Sequence, residues 1–157
     1  MKVELRPIED ADLDAVFEQM RDPESVWMAA FTPENGADRE AFDQRMARIR
    51  AAPDTKVLAV IGDGRLVGTI GSFTMDGERE ITYWIDRAEW GQGIAGRALA
   101  LLLDAEPVRP IRARAASDNL GSLAVLRRAG FAVVGTEVAY ASARGAEIEE
   151  TILRLDS

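Results

Sequence analysis

The sequence predicts a mixed α/β domain built around one central sheet. Apolar side chains recur alternately at strand and helix spacing, in the order strand, two helices, three-strand meander, helix, strand, helix, two strands. The 157 residues suffice for one domain with a sizeable core, and no repeat, low-complexity tract or linker divides residues 1–157. Hydrophobic residues make up 47% and charged residues 29%, which is a normal globular balance.

The N-terminal third is predicted to contain one strand and two helices. Pro7, Asp22-Pro23 and Pro53 end these elements, because proline cannot continue a ladder or a helix. Asp10 and Asp12 are N-cap candidates for the first helix. The predicted segments are strand 3–6, helix 11–21, a loop or short helical turns over 22–37, and helix 38–52.

The remaining elements are bounded by glycine-containing turns. Gly62-Asp63-Gly64 and Met75-Asp76-Gly77 are typical of hairpin turns, and Gly130 fits a left-handed helix end. A loop over residues 141–145 joins the last two strands. The predicted segments are strands 56–61, 65–74 and 78–86, helix 94–104, strand 111–116, helix 119–129, and strands 131–140 and 147–155.

Composition excludes several classes of function. The net charge of -8 argues against nucleic acid or an anionic membrane as the main partner, since both favour a basic surface. The chain has no cysteine and no histidine, so disulfides, zinc–thiolate sites and a cysteine nucleophile are excluded and we expect no metal site. No signal-peptide core or membrane-length apolar run is present, and we expect a cytoplasmic protein.

A glycine-rich turn joins the third meander strand to the helix that follows. Gly91, Gly93 and Gly96 allow a sharp turn and a close approach to a ligand. The first turn of a helix has free peptide N–H groups and the positive end of the helix dipole, so this junction is a candidate phosphate site. Arg97 lies in that first turn, where a bound anion would offset its conflict with the dipole. The alternative is that the glycines serve turn geometry only and that Arg97 points into water.

The same glycines match the letters of the dinucleotide fingerprint G-x-G-x-x-G. That fingerprint requires a buried parallel strand before it, whereas the strand here is polar at Arg79, Glu80 and Thr82. A P-loop is excluded because no Gly-Lys-Ser/Thr follows. A nucleotide-binding α/β protein is therefore a weaker interpretation of the turn.

Four short motifs occur in order along the chain: Glu80-Ile81-Thr82-Tyr83-Trp84, Trp90-Gly91-Gln92-Gly93-Ile94-Ala95, Asn119-Leu120-Gly121-Ser122 and Gly130-Phe131. Together they resemble the GNAT superfamily of N-acetyltransferases, and within it the ribosomal-protein alanine N-acetyltransferase branch. Trp90 stands where the superfamily's acetyl-CoA motif has Gln or Arg, and Thr82 replaces a glycine of the branch's Glu-Ile-Gly-Tyr-Trp. The resemblance implies a GNAT-like domain over 1–157, with a mostly antiparallel sheet, splayed at the cofactor site, and about four helices.

The resemblance also implies how acetyl-CoA, the expected co-substrate, binds. Its pantetheine arm would enter a gap between strands 79–85 and 111–116 and pair with the backbone near Ile85. Asn119 and Ser122 would line the far side, although both also fit plain helix-capping positions. Its pyrophosphate would accept hydrogen bonds from the backbone N–H groups of Gln92, Gly93, Ile94, Ala95, Gly96 and Arg97.

Acetyl transfer to an amine needs a base for the ammonium and an acid for the departing thiolate. Glu80 is the base candidate, because it lies on the strand beside the expected gap. Many superfamily members have a tyrosine acid where this chain has Leu126. The resemblance assigns that role to Ser122, with Tyr140, Tyr83 or water as substitutes. It also implies direct transfer in a ternary complex, which needs no covalent nucleophile.

We expect the acceptor to be chosen by residues 22–37 and the loop at 140–146. Trp27, Met28 and Phe31 supply apolar surface there, for an acceptor wall or for ordinary packing. The acidic balance favours a cationic acceptor, such as a peptide N-terminus or a small-molecule amine. The oligomeric state is left open between monomer and homodimer.

The leading hypothesis is therefore an acetyl-CoA-dependent N-acetyltransferase. The alternative from another class is a non-catalytic acyl-CoA-binding or regulatory domain on the same fold. The missing tyrosine favours that alternative, and the base candidate and the phosphate turn oppose it.

Overall fold

A seven-stranded mixed sheet organises the computed structural model, which describes all 157 residues. The strands are β1 (Val3–Pro7), β2 (Lys56–Gly62), β3 (Arg65–Met75), β4 (Glu78–Ile85), β5 (Ile111–Ala116), β6 (Ala132–Ala141) and β7 (Ala146–Leu155). Their order is β1-β2-β3-β4-β5-β7-β6, and all neighbours are antiparallel except β4 and β5. The predicted mixed α/β architecture with a mostly antiparallel central sheet is confirmed.

Five helices flank the sheet: α1 (Leu13–Met20), α2 (Pro23–Ala29), α3 (Arg39–Ala51), α4 (Ile94–Ala105) and α5 (Leu120–Arg128), with short 3-10 turns at Asp10–Asp12 and Arg87–Glu89. Except for α2, the predicted ends of the helices and of the strands lie within two residues of those observed. At the end of α5, Gly130 has φ 101°, as expected for a left-handed cap. None of the helices is both long enough and apolar enough to cross a membrane.

Helix α2 is the element that the sequence prediction left as a loop or short helical turns. Asp22 caps it by accepting a hydrogen bond from the Ser25 N–H at 3.0 Å, and Pro23 occupies its first position. The Asp-Pro pair that ends one helix therefore also begins the next. With only seven residues, α2 is too short for its apolar spacing to stand out.

The two faces of the sheet have different surroundings. Ile81 and Ile85 of β4 belong to the main core, which α4 and α5 cover. Glu80 and Trp84 face the other side, where the Trp84 indole N–H donates to the Gln19 carbonyl in α1 at 3.1 Å. A smaller apolar core under α1 and α3 covers only the β1–β3 part of that side.

Strands β4 and β5 diverge soon after they begin. Their parallel pairing comprises only Arg79 with Ile111 and Glu80 with Arg112. Beyond these pairs β4 has no neighbouring strand on its β5 side. The predicted gap between the two strands is therefore present.

Backbone groups of β4 face this gap. The Asp86 N–H donates to the Val67 carbonyl at 2.8 Å, and alternate residues of an antiparallel strand bond to the same neighbour. Tyr83 and Ile85 therefore direct their backbone groups away from β3 and into the gap. The Ile85 carbonyl already accepts the Trp90 indole N–H at 2.9 Å. The group of Ile85 that remains available for the predicted pairing is therefore its N–H.

Candidate active site

The glycine-rich turn lies directly after β4 and opens onto solvent. Gly91 and Gly93 have φ of 82° and 77°, values that glycine adopts without strain. A Cβ added at Gly91, Gly93 or Gly96 would meet no atom within 4 Å. The glycines therefore do not make room for neighbouring protein, and the space beside the turn is available to a ligand.

The first turn of α4 has no side-chain cap, and its peptide N–H groups are oriented toward that space. The Arg97 N–H differs, because it donates to the Gly93 carbonyl at 3.2 Å. The N–H groups of this turn that have no partner in the protein are therefore those of Gln92–Gly96, and phosphate binding by the turn stays a prediction. The exposed Arg97 guanidinium donates to the Met1 carbonyl at 2.7 Å, and its contact with a bound anion stays a prediction.

On the α5 side of the gap, two predicted residues lie in direct contact. The Tyr83 hydroxyl and Ser122 Oγ are 2.7 Å apart. Burial raises the pKa of Tyr83 above its ordinary value of about 10, so the phenol stays protonated at neutral pH. Leu126, at the position where a tyrosine was expected from the resemblance, is 1% exposed in the main core.

Asn119 caps α5. Its side chain accepts a hydrogen bond from the Ser122 N–H at 3.3 Å, and its amide lies 3.5 Å from the Met28 carbonyl of α2. The capping interpretation of Asn119 is thus confirmed. Contact of Asn119 with the cofactor stays a prediction.

On the opposite face of the sheet, Glu80 is 4% exposed beside two arginines of β5. Arg114 Nε donates to Glu80 Oε1 at 3.1 Å, and Arg112 Nε lies 3.5 Å from the same oxygen and 2.9 Å from Glu78 Oε2. Glu80 Oε2 has no hydrogen-bond partner in the protein. The predicted base therefore has one oxygen fixed by guanidinium groups and one oxygen available.

Arg114 continues this charge network across the sheet. Its NH1 donates to Glu137 of β6 at 3.1 Å and lies 3.6 Å from Glu150 of β7. Burial raises the pKa of Glu150, with the Glu80 and Glu137 carboxylates adding to the effect. The sequence prediction did not name these residues. The available signal was the alternation of Arg112 and Arg114 with apolar residues along β5, which indicates a strand with one polar face.

The two segments predicted to choose the acceptor are brought together. The Ala143 N–H donates to the Ala30 carbonyl at 3.1 Å, which joins the β6–β7 loop to the end of α2. Arg144 donates to the Trp27 carbonyl at 2.7 Å and to both carboxylate oxygens of Asp118 at 2.7 and 3.1 Å. Its guanidinium also lies 4.5 Å from the Trp27 ring centre. Arg144 was not predicted, although its loop was.

Tyr140 is not brought together with the other candidates. It is 58% exposed on β6, the edge strand, and β7 lies between β6 and β5. Its hydroxyl makes no hydrogen bond to another residue. A role for Tyr140 as an acid stays a prediction without support from these contacts.

A polar cleft of about 490 Å³ lies at the other end of the gap strands, beside Arg79 and Glu106. Arg79 and Glu106 are paired with each other: Glu106 Oε1 accepts from Arg79 at 2.5 Å, and it also accepts from Ser72 at 3.1 Å. The Arg79 guanidinium lowers the Glu106 pKa against the opposing effect of burial, which is the larger single influence. We assign this cluster to structure, because it closes the ends of β3, β4 and α4.

Taken together, these residues fit acetyl-CoA. Free N–H donors at a helix N-terminus suit a pyrophosphate, and the gap offers unpaired strand backbone to an extended amide-containing arm. Hydroxyl groups lie on the α5 face of the gap and a carboxylate lies on the opposite face. The site can therefore address a thiolate from one side and an ammonium from the other.

Solved structures with the same fold include several acetyltransferases. Mycobacterium smegmatis RimJ in complex with CoA-disulfide is 24% identical, covering 99% of this chain and 82% of that chain with a TM-score of 0.83. Spermidine N-acetyltransferase from Vibrio cholerae, in complex with CoA and spermine, is 15% identical, covering 98% and 95% with a TM-score of 0.86. Ribosomal-protein-alanine N-acetyltransferase from Brucella melitensis is 22% identical, covering 98% and 99% with a TM-score of 0.81.

Sequence comparison identifies the family. No protein of curated function matches the chain significantly in sequence. The model of the Acetyltransferase (GNAT) domain matches residues 2–132, which include the glycine-rich turn, both gap strands and all five helices. The chain therefore belongs to the GNAT acetyltransferase family.

Proposed function

We propose that this protein transfers the acetyl group of acetyl-CoA to a primary amine, by direct transfer in a ternary complex. The observation that carries the proposal is the open glycine-rich turn, whose free N–H donors adjoin the β4–β5 gap. The amine is a peptide N-terminus or a small molecule. Such an activity needs a supply of acetyl-CoA, which fits the predicted cytoplasmic location.

On the α5 side of the gap, the chain binds the cofactor and assists the departing thiolate. The N–H groups of Gln92–Gly96 hold the pyrophosphate, and the backbone of Tyr83 and Ile85 pairs with the pantetheine arm. Acetyl-CoA supplies an activated acyl group when bound. The Ser122 hydroxyl then donates a proton to the sulfur as the thioester bond breaks.

On the opposite face, the chain prepares the acceptor. An amine with a pKa of about 10 is mostly protonated at neutral pH and must lose a proton before it attacks. Glu80 Oε2 is free to accept that proton, directly or through water, while Arg114 fixes the orientation of the carboxylate. Holding amine and thioester together supplies much of the remaining acceleration.

The negative charge of the protein supports a cationic acceptor. The chain carries a net charge of -8, and the exposed carboxylate of Glu137 adds negative charge to the Glu80 face of the sheet. A cationic acceptor is attracted to such a face. Spermidine and protein N-terminal alanine, named for two structural relatives, are both amines of this kind.

The competing proposal is a non-catalytic acyl-CoA-binding domain. It is favoured by Leu126, which places an apolar, buried side chain where a tyrosine acid was expected. Acetyl-CoA-dependent thiol release over a panel of amines separates the two. The chain contains no cysteine, so every thiol detected comes from CoA.

The panel contains spermidine and a peptide with N-terminal alanine, after the two relatives named above. An enzyme releases CoA with at least one amine, and Glu80→Gln lowers that rate on the order of 100-fold while CoA binding is unchanged. Glu78→Gln is the matched control, because it removes the same charge from the same network at a more exposed carboxylate. Tight CoA binding with no thiol release for any amine would support the binding domain instead.

A further inference from the structure

Tyr83 and Ser122 form a pair whose geometry goes beyond the roles given above. Tyr83 lies on β4 and Ser122 lies in the first turn of α5, the helix that follows β5, so one hydroxyl comes from each side of the gap. Their oxygens are 2.7 Å apart, a normal length for a hydrogen bond between hydroxyls. This hydrogen bond joins two residues that are 39 positions apart in the chain.

Either hydroxyl can donate in this hydrogen bond, and the surroundings favour Tyr83 as the donor. Tyr83 is largely removed from water, which raises its pKa and keeps the phenol protonated. Its hydroxyl has Ser122 Oγ at 2.7 Å and only a long contact of 3.5 Å to the Ser122 carbonyl. Ser122 Oγ has no other partner in the protein. With Tyr83 as donor, the hydrogen of Ser122 stays free for a group in the gap.

We propose that Tyr83 is a positioning residue that donates to Ser122 and so directs the Ser122 hydroxyl hydrogen at the leaving sulfur. This inference rests on the proposed acetyl transfer. It also explains how the chain works with leucine at the usual tyrosine position: the phenol comes from β4 and acts through serine.

The proton balance of the step is as follows. The neutral amine nitrogen forms a bond to the acetyl carbonyl carbon with its lone pair. The carbon–sulfur bond then breaks and its electron pair stays on sulfur. Sulfur takes the Ser122 proton, Ser122 oxygen takes the Tyr83 proton, and the phenolate regains a proton from water. The proton lost by the acceptor nitrogen leaves through Glu80 to solvent. An aliphatic hydroxyl is a weaker acid than a phenol, so the coupled transfer avoids a serine alkoxide.

Tyr83→Phe, Ser122→Ala and the double variant test this relay in the full chain with acetyl-CoA and the best amine. We expect each single variant to lower kcat on the order of 10- to 100-fold, with KM and calorimetric CoA affinity within about twofold of wild type. The double variant should be no slower than the slower single variant, because the two residues act as a unit.

Rate losses that multiply in the double variant would overturn the relay, as would a Tyr83→Phe enzyme with wild-type kcat. If Tyr83→Phe does not fold, the solvent proton inventory of wild-type kcat is the second test. Two protons in flight predict a curved dependence on deuterium content, and a straight line contradicts the relay. A wild-type protein that binds CoA but acetylates no amine overturns the proposed function itself and the relay with it.

Discussion

Gly93→Asp tests the phosphate-binding turn by adding one negative charge where a pyrophosphate is proposed. The backbone φ at Gly93 is 77°, and a Cβ there meets nothing within 4 Å, so the new side chain enters open space. Asn and Asp are the non-glycine residues that tolerate this conformation best, at a cost of about 1 kcal/mol. Gly93→Asn is therefore a matched control with the same shape and strain but no charge.

The expected effect on affinity follows from Coulomb's law. A carboxylate about 6 Å from one phosphate charge, at an effective dielectric constant of about 20, repels it by about 3 kcal/mol. That energy corresponds to roughly a hundredfold weaker binding. We expect Gly93→Asp to raise the Kd for CoA by this factor relative to Gly93→Asn, and the difference to shrink at high salt.

Isothermal titration calorimetry measures the Kd for CoA of both variants, and thermal denaturation checks that both fold. ATP and NAD serve as further ligands, since a nucleotide-binding site would accept them as well as CoA. Equal CoA affinities for the Asp and Asn variants would refute the reasoning, because no anion would then lie beside residue 93.

Three further variants probe the network around the site. Arg114→Met leaves the buried Glu80 carboxylate without its donor, and urea denaturation should show about 3 kcal/mol lower stability, most of it recovered in a double variant with Glu80→Gln; no recovery would contradict the pairing. Arg144→Ala should raise KM for the amine several-fold with unchanged CoA affinity, whereas Arg144→Lys should be milder; an unchanged KM would remove the α2 segment from the acceptor site. Arg87 holds the pKa of Asp22 at about 2, below its usual 3.8, so this stabilisation is present above pH 4 and lost as pH falls through about 2. The Tm difference between wild type and Arg87→Gln should shrink over that range, and a constant difference would argue against the linkage.

The local elements of the fold were predictable because their signals are local. Alternation and helical spacing located the strands and the longer helices, and turn glycines marked their ends. Gly130, with φ 101°, is one such signal, since only a residue without Cβ adopts that conformation freely. Helix α2 was not predicted as a helix, because seven residues make too few turns for a recognisable apolar repeat and its first proline also marks the end of α1.

The candidate site was predicted only as far as its motifs extend along the chain. The glycine-rich turn, Glu80 and Ser122 were named, whereas Arg114 and Arg144 were not. A pair such as Glu80 and Arg114 spans 34 positions, and only the sheet register brings the two side chains to one face. No local pattern encodes such a register, because it depends on how all the strands pack together.

By itself, the sequence determined all the strands and every helix except α2, the position of the glycine-rich turn and the absence of cysteine and histidine chemistry. Tertiary structure decided the rest: the early divergence of β4 from β5, the pairing of Tyr83 with Ser122, and the closure of α2 onto the β6–β7 loop. The physical reason is the separation along the chain of the residues that interact. Backbone conformation and helix caps depend on neighbouring residues, whereas strand pairing and side-chain contacts across the sheet depend on residues that only folding brings together.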